Sequence, residues 1–288
     1  MHTHFRLNEY KILVYRLLLA YFFYFLTRVL FYIYNIDLLK VDSVSDFLSL
    51  CYYGLAFDTT AILYVNLLFI LFTIFPFLKN TTAGYQKFLF YLYFIPNLVA
   101  YGTNFIDFIY YKYTFARTTI VVLNVLEHET NKTTLLLSFL IDYWHVFILF
   151  IALSAFWIYL YKKVKVKLSF PTKKIHYFGF SVIGFFIIIL LTIGGIRGGD
   201  FKKSTRPINI LDASRHVKNI VHSDIVLNTP FAIIRTLFTN SFVIPNYPNV
   251  NQQVILEKVQ PIKQYHNNPE TKPNVVVFIL ESYGREYI

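Results

Sequence analysis

The chain has 288 residues, 56% hydrophobic and 20% aromatic, and only 15% are charged. Soluble domains carry nearer a quarter charged residues, so the composition excludes an ordinary water-soluble protein. A formal net charge of +11 would suggest nucleic acid in a soluble chain, but here the lysines sit beside apolar blocks, which points to membrane topology and anionic lipid and away from nucleic acid.

The single cysteine, Cys51, excludes an intrachain disulfide and reads as ordinary packing. Met1 to Asn8 is short and polar, and its His2-x-His4 pair reads as a frayed terminus before it reads as a metal site. The first apolar span runs roughly from Ile12 to Tyr34. It is too long for a signal-peptide core and no small-residue cleavage site follows, so it should remain as an anchor. Arg16 and Arg28, near its two ends, are expected to snorkel to the headgroups. Asn35 to Thr60 is acidic, with Asp37, Asp42, Asp46 and Asp58 against Lys40. Within it Phe47 to Phe57 suits a helix lying along the interface.

The second span is roughly Thr59 to Leu78 and the third Phe88 to Ile109. The third carries Pro96, Asn97, Gly102, Asn104 and Asp107, a polar group that is costly unless it faces protein or water. Thr118 to Ser138 reads as a connector. Its Glu127-His128-Glu129 run is a poor ligand set, because neighbouring residues on a helix do not share a face. The fourth span is roughly Phe139 to Tyr161 and the fifth Tyr177 to Ile196. Between them lie Lys162, Lys163, Lys165, Lys167, Lys173 and Lys174 with no acid. That loop is therefore cytoplasmic. Counting from it puts the N-terminus inside, the acidic 35–58 segment outside, and everything after Ile196 outside the cell membrane.

Gly194-Gly-Ile-Arg-Gly-Gly-Asp200 reads as a flexible exit and not as a phosphate loop, since no strand precedes it and no Gly-Lys-Ser/Thr follows. Asp212 is expected to cap a short helix running to Asn219, and Thr229-Pro230 to start another that reaches about Phe238. Five prolines from Pro245 to Pro273 then break up a polar linker. Val275 to Leu280 is an unbroken, β-branched apolar run that suits a strand buried on both faces. Glu281 stands at its carboxyl end, where ligands collect in open α/β sheets and where a carboxylate can hold a metal. The blander alternative is a solvated loop residue or a first-turn helix charge.

Pro273-Asn-Val-Val-Val-Phe-Ile-Leu-Glu-Ser-Tyr-Gly-Arg-Glu-Tyr-Ile288 resembles the opening strand of the catalytic domain of the lipoteichoic acid synthase family. These are membrane-anchored, sulfatase-like members of the alkaline phosphatase superfamily. Asn104-Phe-Ile-Asp107, Tyr111, Arg117-Thr-Thr119, Arg197-Gly-Gly, Arg206-Pro and Leu227-Asn-Thr-Pro230 are also similar to that family, less specifically. The resemblance implies that Glu281 is a ligand of a divalent metal, often manganese, and that the family's Thr nucleophile and remaining ligands lie downstream. No position here matches them, so no catalytic nucleophile is assigned, and the chain is expected to be an inactive N-terminal part of a longer protein.

The expected fold is an α-helical membrane protein: five transmembrane helices over 1–196, an extracytoplasmic juxtamembrane linker over 197–272, and the first strand of a truncated α/β domain over 273–288. The implied reaction moves phosphoglycerol, or a similar headgroup, from an anionic phospholipid in the outer leaflet of a bacterial plasma membrane to a polyol or glycan hydroxyl. On this reading Asn104 and Asp107 face the space where the headgroup docks; the alternative is a helix end reaching the headgroup layer. A phosphoethanolamine transferase, a sulfatase or phosphatase, and a non-catalytic scaffold stay open. A transporter fits less well, because there is no inverted repeat and the ionisable residues sit at span ends.

Overall fold

The computed structural model describes residues 2–3, 6–76, 82–122, 132–165, 170–171, 174–198 and 206–238. Contacts divide the chain into one unit, Met1–Ser241, and a second, Phe242–Ile288, that lies wholly outside the described residues. The expected strand Val275–Leu280, Glu281 and the Glu127–Glu129 run also lie outside them.

Helix α1 spans Leu7–Tyr34, and Glu9 in its first turn suits the positive end of the helix dipole. It stops at Asn35, whose side-chain amide donates to the Phe31 carbonyl at 3.0 Å. A single turn, α2 (Ile36–Leu39), follows and is closed by Lys40 in the left-handed region. Ser43 then caps α3 (Val44–Val65) by accepting from the Asp46 backbone N–H. Asn66 interrupts the helix and α4 (Leu67–Ile74) resumes it. The stretch expected to lie along the interface is thus the first half of a continuous α3, because a sound Ser cap starts the helix before Phe47 and nothing ends it until Asn66.

Helix α5 (Ala83–Thr114) runs 32 residues with Pro96 inside it. Helices α6 (Lys132–Asp142) and α7 (Trp144–Lys163) are separated at Tyr143, and α8 covers Lys174–Ile196. Short 3₁₀ segments at Ile210–His216 and Ile220–His222 lead into α9 (Ser223–Val226) and α10 (Thr229–Thr236). The extended pairing among the described residues is a two-residue parallel ladder, His2–Thr3 (β1) on Phe170–Pro171 (β2).

Four of these helices are long and apolar enough to cross a membrane: α1, α3, α7 and Tyr177–Ile196 within α8. The expected second span, Thr59–Leu78, straddles the break at Asn66, and the helix long enough to cross is Val44–Val65 instead; the expected third span, in α5, is not among the four. Its length suffices, but Asn97, Asn104, Asp107, Lys112 and the terminal Lys87 dilute its apolar character.

The core is aromatic. Helix α1 packs against α3, α4, α5 and α7. At its middle the Phe23 ring stacks on Trp157, centroids 4.6 Å apart, with Tyr93 and Tyr101 edge-on to the Trp157 ring. The Trp157 indole N–H donates to the Tyr93 hydroxyl, which donates in turn to the Arg16 carbonyl at 2.8 Å. Asn66 and Asn97 exchange side-chain amide bonds of 3.1 and 2.7 Å, and so pin the α3–α4 break to α5. In an apolar surround such reciprocal pairs fix which faces meet.

Both arginines expected to snorkel point inward instead. Arg16 lies over the Tyr161 ring, 4.2 Å from its centroid, and donates to Gln86. Arg28 sits against Gly54, where an added Cβ would come within 2.5 Å of the guanidinium carbon. The Gly54→Ala variant should therefore lose about 1–3 kcal/mol of stability as Arg28 is displaced. Gly84→Ala, with nothing within 4 Å, should match or exceed the parent. Thermal unfolding in detergent compares the two.

Candidate functional site

A polar assembly lies where α1, α3 and α5 meet the segment 206–238, and Arg28, Asp58, Asp107 and Arg117 at its centre are buried. Arg28 grips Asp58 with two bonds, Nη1 to Oδ2 at 2.5 Å and Nη2 to Oδ1 at 2.7 Å. Its remaining donors reach out of the helices: Nε to the Ile225 carbonyl at 2.8 Å and Nη2 to the Val226 carbonyl at 3.1 Å. Asn228 donates to Asp58 Oδ1 at 2.7 Å, and its own amide oxygen accepts from the Phe231 N–H, capping α10.

A second ion pair sits beside the first. Asp107 is fully buried. It accepts from the Thr118 N–H at 3.1 Å, from the Thr118 hydroxyl, and from the Thr229 hydroxyl at 2.6 Å. Arg117 Nη1 stands 3.6 Å from Asp107 Oδ2. Arg117 also donates to the Asp224 carbonyl at 2.8 Å and the Leu227 carbonyl at 3.1 Å, and lies 3.4 Å from the Phe31 ring centroid. The Asn104 side-chain oxygen accepts from the Thr229 N–H at 3.2 Å. Tyr111 donates to the Asp224 carboxylate at 2.9 Å.

Two buried guanidiniums therefore hold four consecutive backbone carbonyls, those of Asp224, Ile225, Val226 and Leu227. Those carbonyls need partners because they end a four-residue helix that cannot satisfy them itself. Charges this deep persist only when paired and hydrogen-bonded on every side, which both arginines are.

Asn104 and Asp107 both turn toward Thr229 of the 206–238 segment. Both are buried, and their oxygens are taken by Thr118, Thr229 and Arg117. Both bond the 206–238 segment through Thr229. The expected caps also shift. Asn209, not Asp212, caps the 3₁₀ segment, with Asp212 completing a capping box at its third position. Asn228, not Thr229, caps α10, because the Thr229 hydroxyl is committed to Asp107.

Sequence reading missed Arg28–Asp58 as a pair, and Asp224. The available signal was the cost of a charge inside an apolar helix, which demands a partner of opposite sign at the same depth. Among the described residues no three His, Cys, Asp or Glu side chains converge as a metal site. Glu281 lies outside them. No family model, curated protein or solved structure matches the chain.

Removing one partner of the first pair strands a buried charge. Arg28→Met should cost about 3–5 kcal/mol and open the 206–238 segment to protease. The double variant Arg28→Met/Asp58→Leu should lose clearly less than either single change. Thermal unfolding and limited proteolysis read both effects.

Burial pushes the Asp224 carboxyl above its usual value, opposed by the Arg117 guanidinium and the Tyr111 hydrogen bond. The folded chain thus holds this proton more tightly than the unfolded one. Its contribution is largest below the ordinary carboxylate value, about 3.9, and is lost as pH rises through the folded value. Asp224→Asn keeps an acceptor for Tyr111, so its melting temperature relative to the parent should climb between pH 4 and pH 7.

Proposed function

We propose that the chain is the membrane-embedded and juxtamembrane part of a metal-dependent, sulfatase-like transferase that moves phosphoglycerol, or a similar phospho-headgroup, from an anionic phospholipid to a polyol or glycan hydroxyl. The observation that carries this reading is convergence. Four of the segments similar to the lipoteichoic acid synthase family, Asn104–Asp107, Tyr111, Arg117–Thr119 and Leu227–Pro230, meet in one buried network, while Arg197-Gly-Gly and Arg206-Pro take no part in it and 273–288 lies outside the described residues. Segments far apart in sequence that share both a resemblance and a bonding partner favour the family reading over separate chance matches.

On this reading α5 is a fifth crossing, with its polar face turned to protein. The lysine block 162–174 lies in the cytoplasm, and the chain beyond α10 is delivered to the outer face of the bacterial plasma membrane. There Glu281 is the first of the ligands for a divalent metal, manganese by resemblance. A bound metal of that kind activates a hydroxyl nucleophile and offsets phosphoryl charge. The part of the residues described above is placement. A segment clamped to α1, α3 and α5 is held at one depth along the helices, as recognition of a lipid headgroup requires.

Sidedness is tested in a Cys51→Ser background with Lys163→Cys and Ser241→Cys introduced singly. A membrane-impermeant maleimide should label position 241 in intact cells and position 163 only after lysis. The reverse pattern ends the proposal. In the full-length product of the gene, Glu281→Gln should abolish manganese-dependent release of glycerol phosphate from phosphatidylglycerol; unchanged release removes Glu281 from the ligand set.

A further inference from the structure

A second feature of the 206–238 segment takes no part in the charge network. Where its first 3₁₀ segment crosses α3, a groove of about 370 Å³ opens, lined by Tyr52, Leu55, Ala56, Phe57, Ile208 and Asp212. Its floor is apolar. Its one carboxylate, Asp212, is already used: Oδ2 accepts from the Asn209 N–H at 2.8 Å, and Oδ1 pairs with Arg206 at 2.9 Å and Arg215 at 3.2 Å. Two arginines share one carboxylate oxygen, and each side chain is more than half exposed (53% and 65%). The rim therefore carries one positive charge in excess, on two guanidinium forks with donors to spare.

Depth narrows the choice of occupant. Thr60 on α3 meets the Gly195 carbonyl in the last turn of α8, at 3.4 Å. Helix α8, at 23 residues, is about 35 Å long at 1.5 Å per residue, close to the roughly 30 Å of a hydrocarbon core. The groove begins one turn of α3 beyond that contact, past the last turn of α8 and on the flank of a helix itself apolar enough to meet lipid. Along the same α3, Val44, Leu48, Tyr52 and Leu55 are exposed, as is Leu211 beside Asp212. An apolar floor beside two guanidinium forks matches a molecule with an acyl chain and an anionic head.

We propose that this groove is a binding site for one anionic phospholipid, with part of an acyl chain against Leu55, Ala56 and Phe57 and the phosphate between Arg206 and Arg215. The bound lipid fastens the first 3₁₀ segment to α3. The site is distinct from the buried network, and the proposal does not rest on the chain being a transferase.

The test is the melting temperature of the full chain in mixed detergent micelles doped with phosphatidylglycerol, with phosphatidylcholine, or supplemented with soluble sn-glycerol 1-phosphate. Phosphatidylglycerol should raise the midpoint by several degrees over phosphatidylcholine, and glycerol phosphate should not. Arg206→Gln/Arg215→Gln should remove the preference for the anionic lipid, and Ala56→Phe, which fills the groove with the rim intact, should do the same. Equal shifts from both lipids, a full shift from glycerol phosphate, or a preference retained in either variant overturns the proposal. Should the double arginine variant fail to fold, Ala56→Phe decides alone, and native mass spectrometry of retained lipid gives the same comparison without unfolding.

Discussion

The architecture depends on the satisfaction of two buried guanidiniums. Arg28 and Arg117 each pair with a carboxylate on a helix, and each then spends its remaining donors on the backbone of the 224–227 stretch. Neither half is stable without the other. The helices alone would leave guanidinium donors without acceptors in an apolar surround, and the stretch alone would leave carbonyls without donors. The 206–238 segment thus packs as part of the bundle, and the contact boundary falls at Ser241 and not at the end of the last apolar helix.

This arrangement also explains the run of small and amide residues facing the network. Gly54 leaves room for the Arg28 head. Asn228 uses one side chain twice, donating to Asp58 and capping α10. Thr229 bonds Asp107 with its hydroxyl while its N–H meets Asn104. Each supplies a polar atom with little bulk, which a core packed with Phe23, Trp157, Tyr93 and Phe231 has no other way to accommodate.

The apolar helices were legible in the sequence because hydrophobic length is a one-dimensional property. Ile12–Tyr34 and Tyr177–Ile196 need only be counted, and α1 and α8 contain them. Element starts were harder where a cap decides: Ser43 extends α3 backward over a stretch that composition alone assigns to the interface. The site was legible only in part. Asn104 and Asp107 announce themselves as polar residues in an apolar helix, but what they bind is 11 to 125 residues away. The partners of Arg28 lie 30 and 197 residues away, and no periodicity encodes a pairing of that kind. Snorkelling and inward pairing predict the same residue type at the same place. Only the position of Asp58, a helix away, separates them.

The same geometry limits how the segment can move. A surface linker held by one or two exposed ion pairs would come and go, since such pairs contribute about 1 kcal/mol or less. Here four successive carbonyls are held from two sides by buried, paired charges. Detachment must therefore be all or none: loss of either guanidinium exposes the other's carboxylate and the α10 cap together. A segment bound in this way is fixed to the helices and is not a hinge.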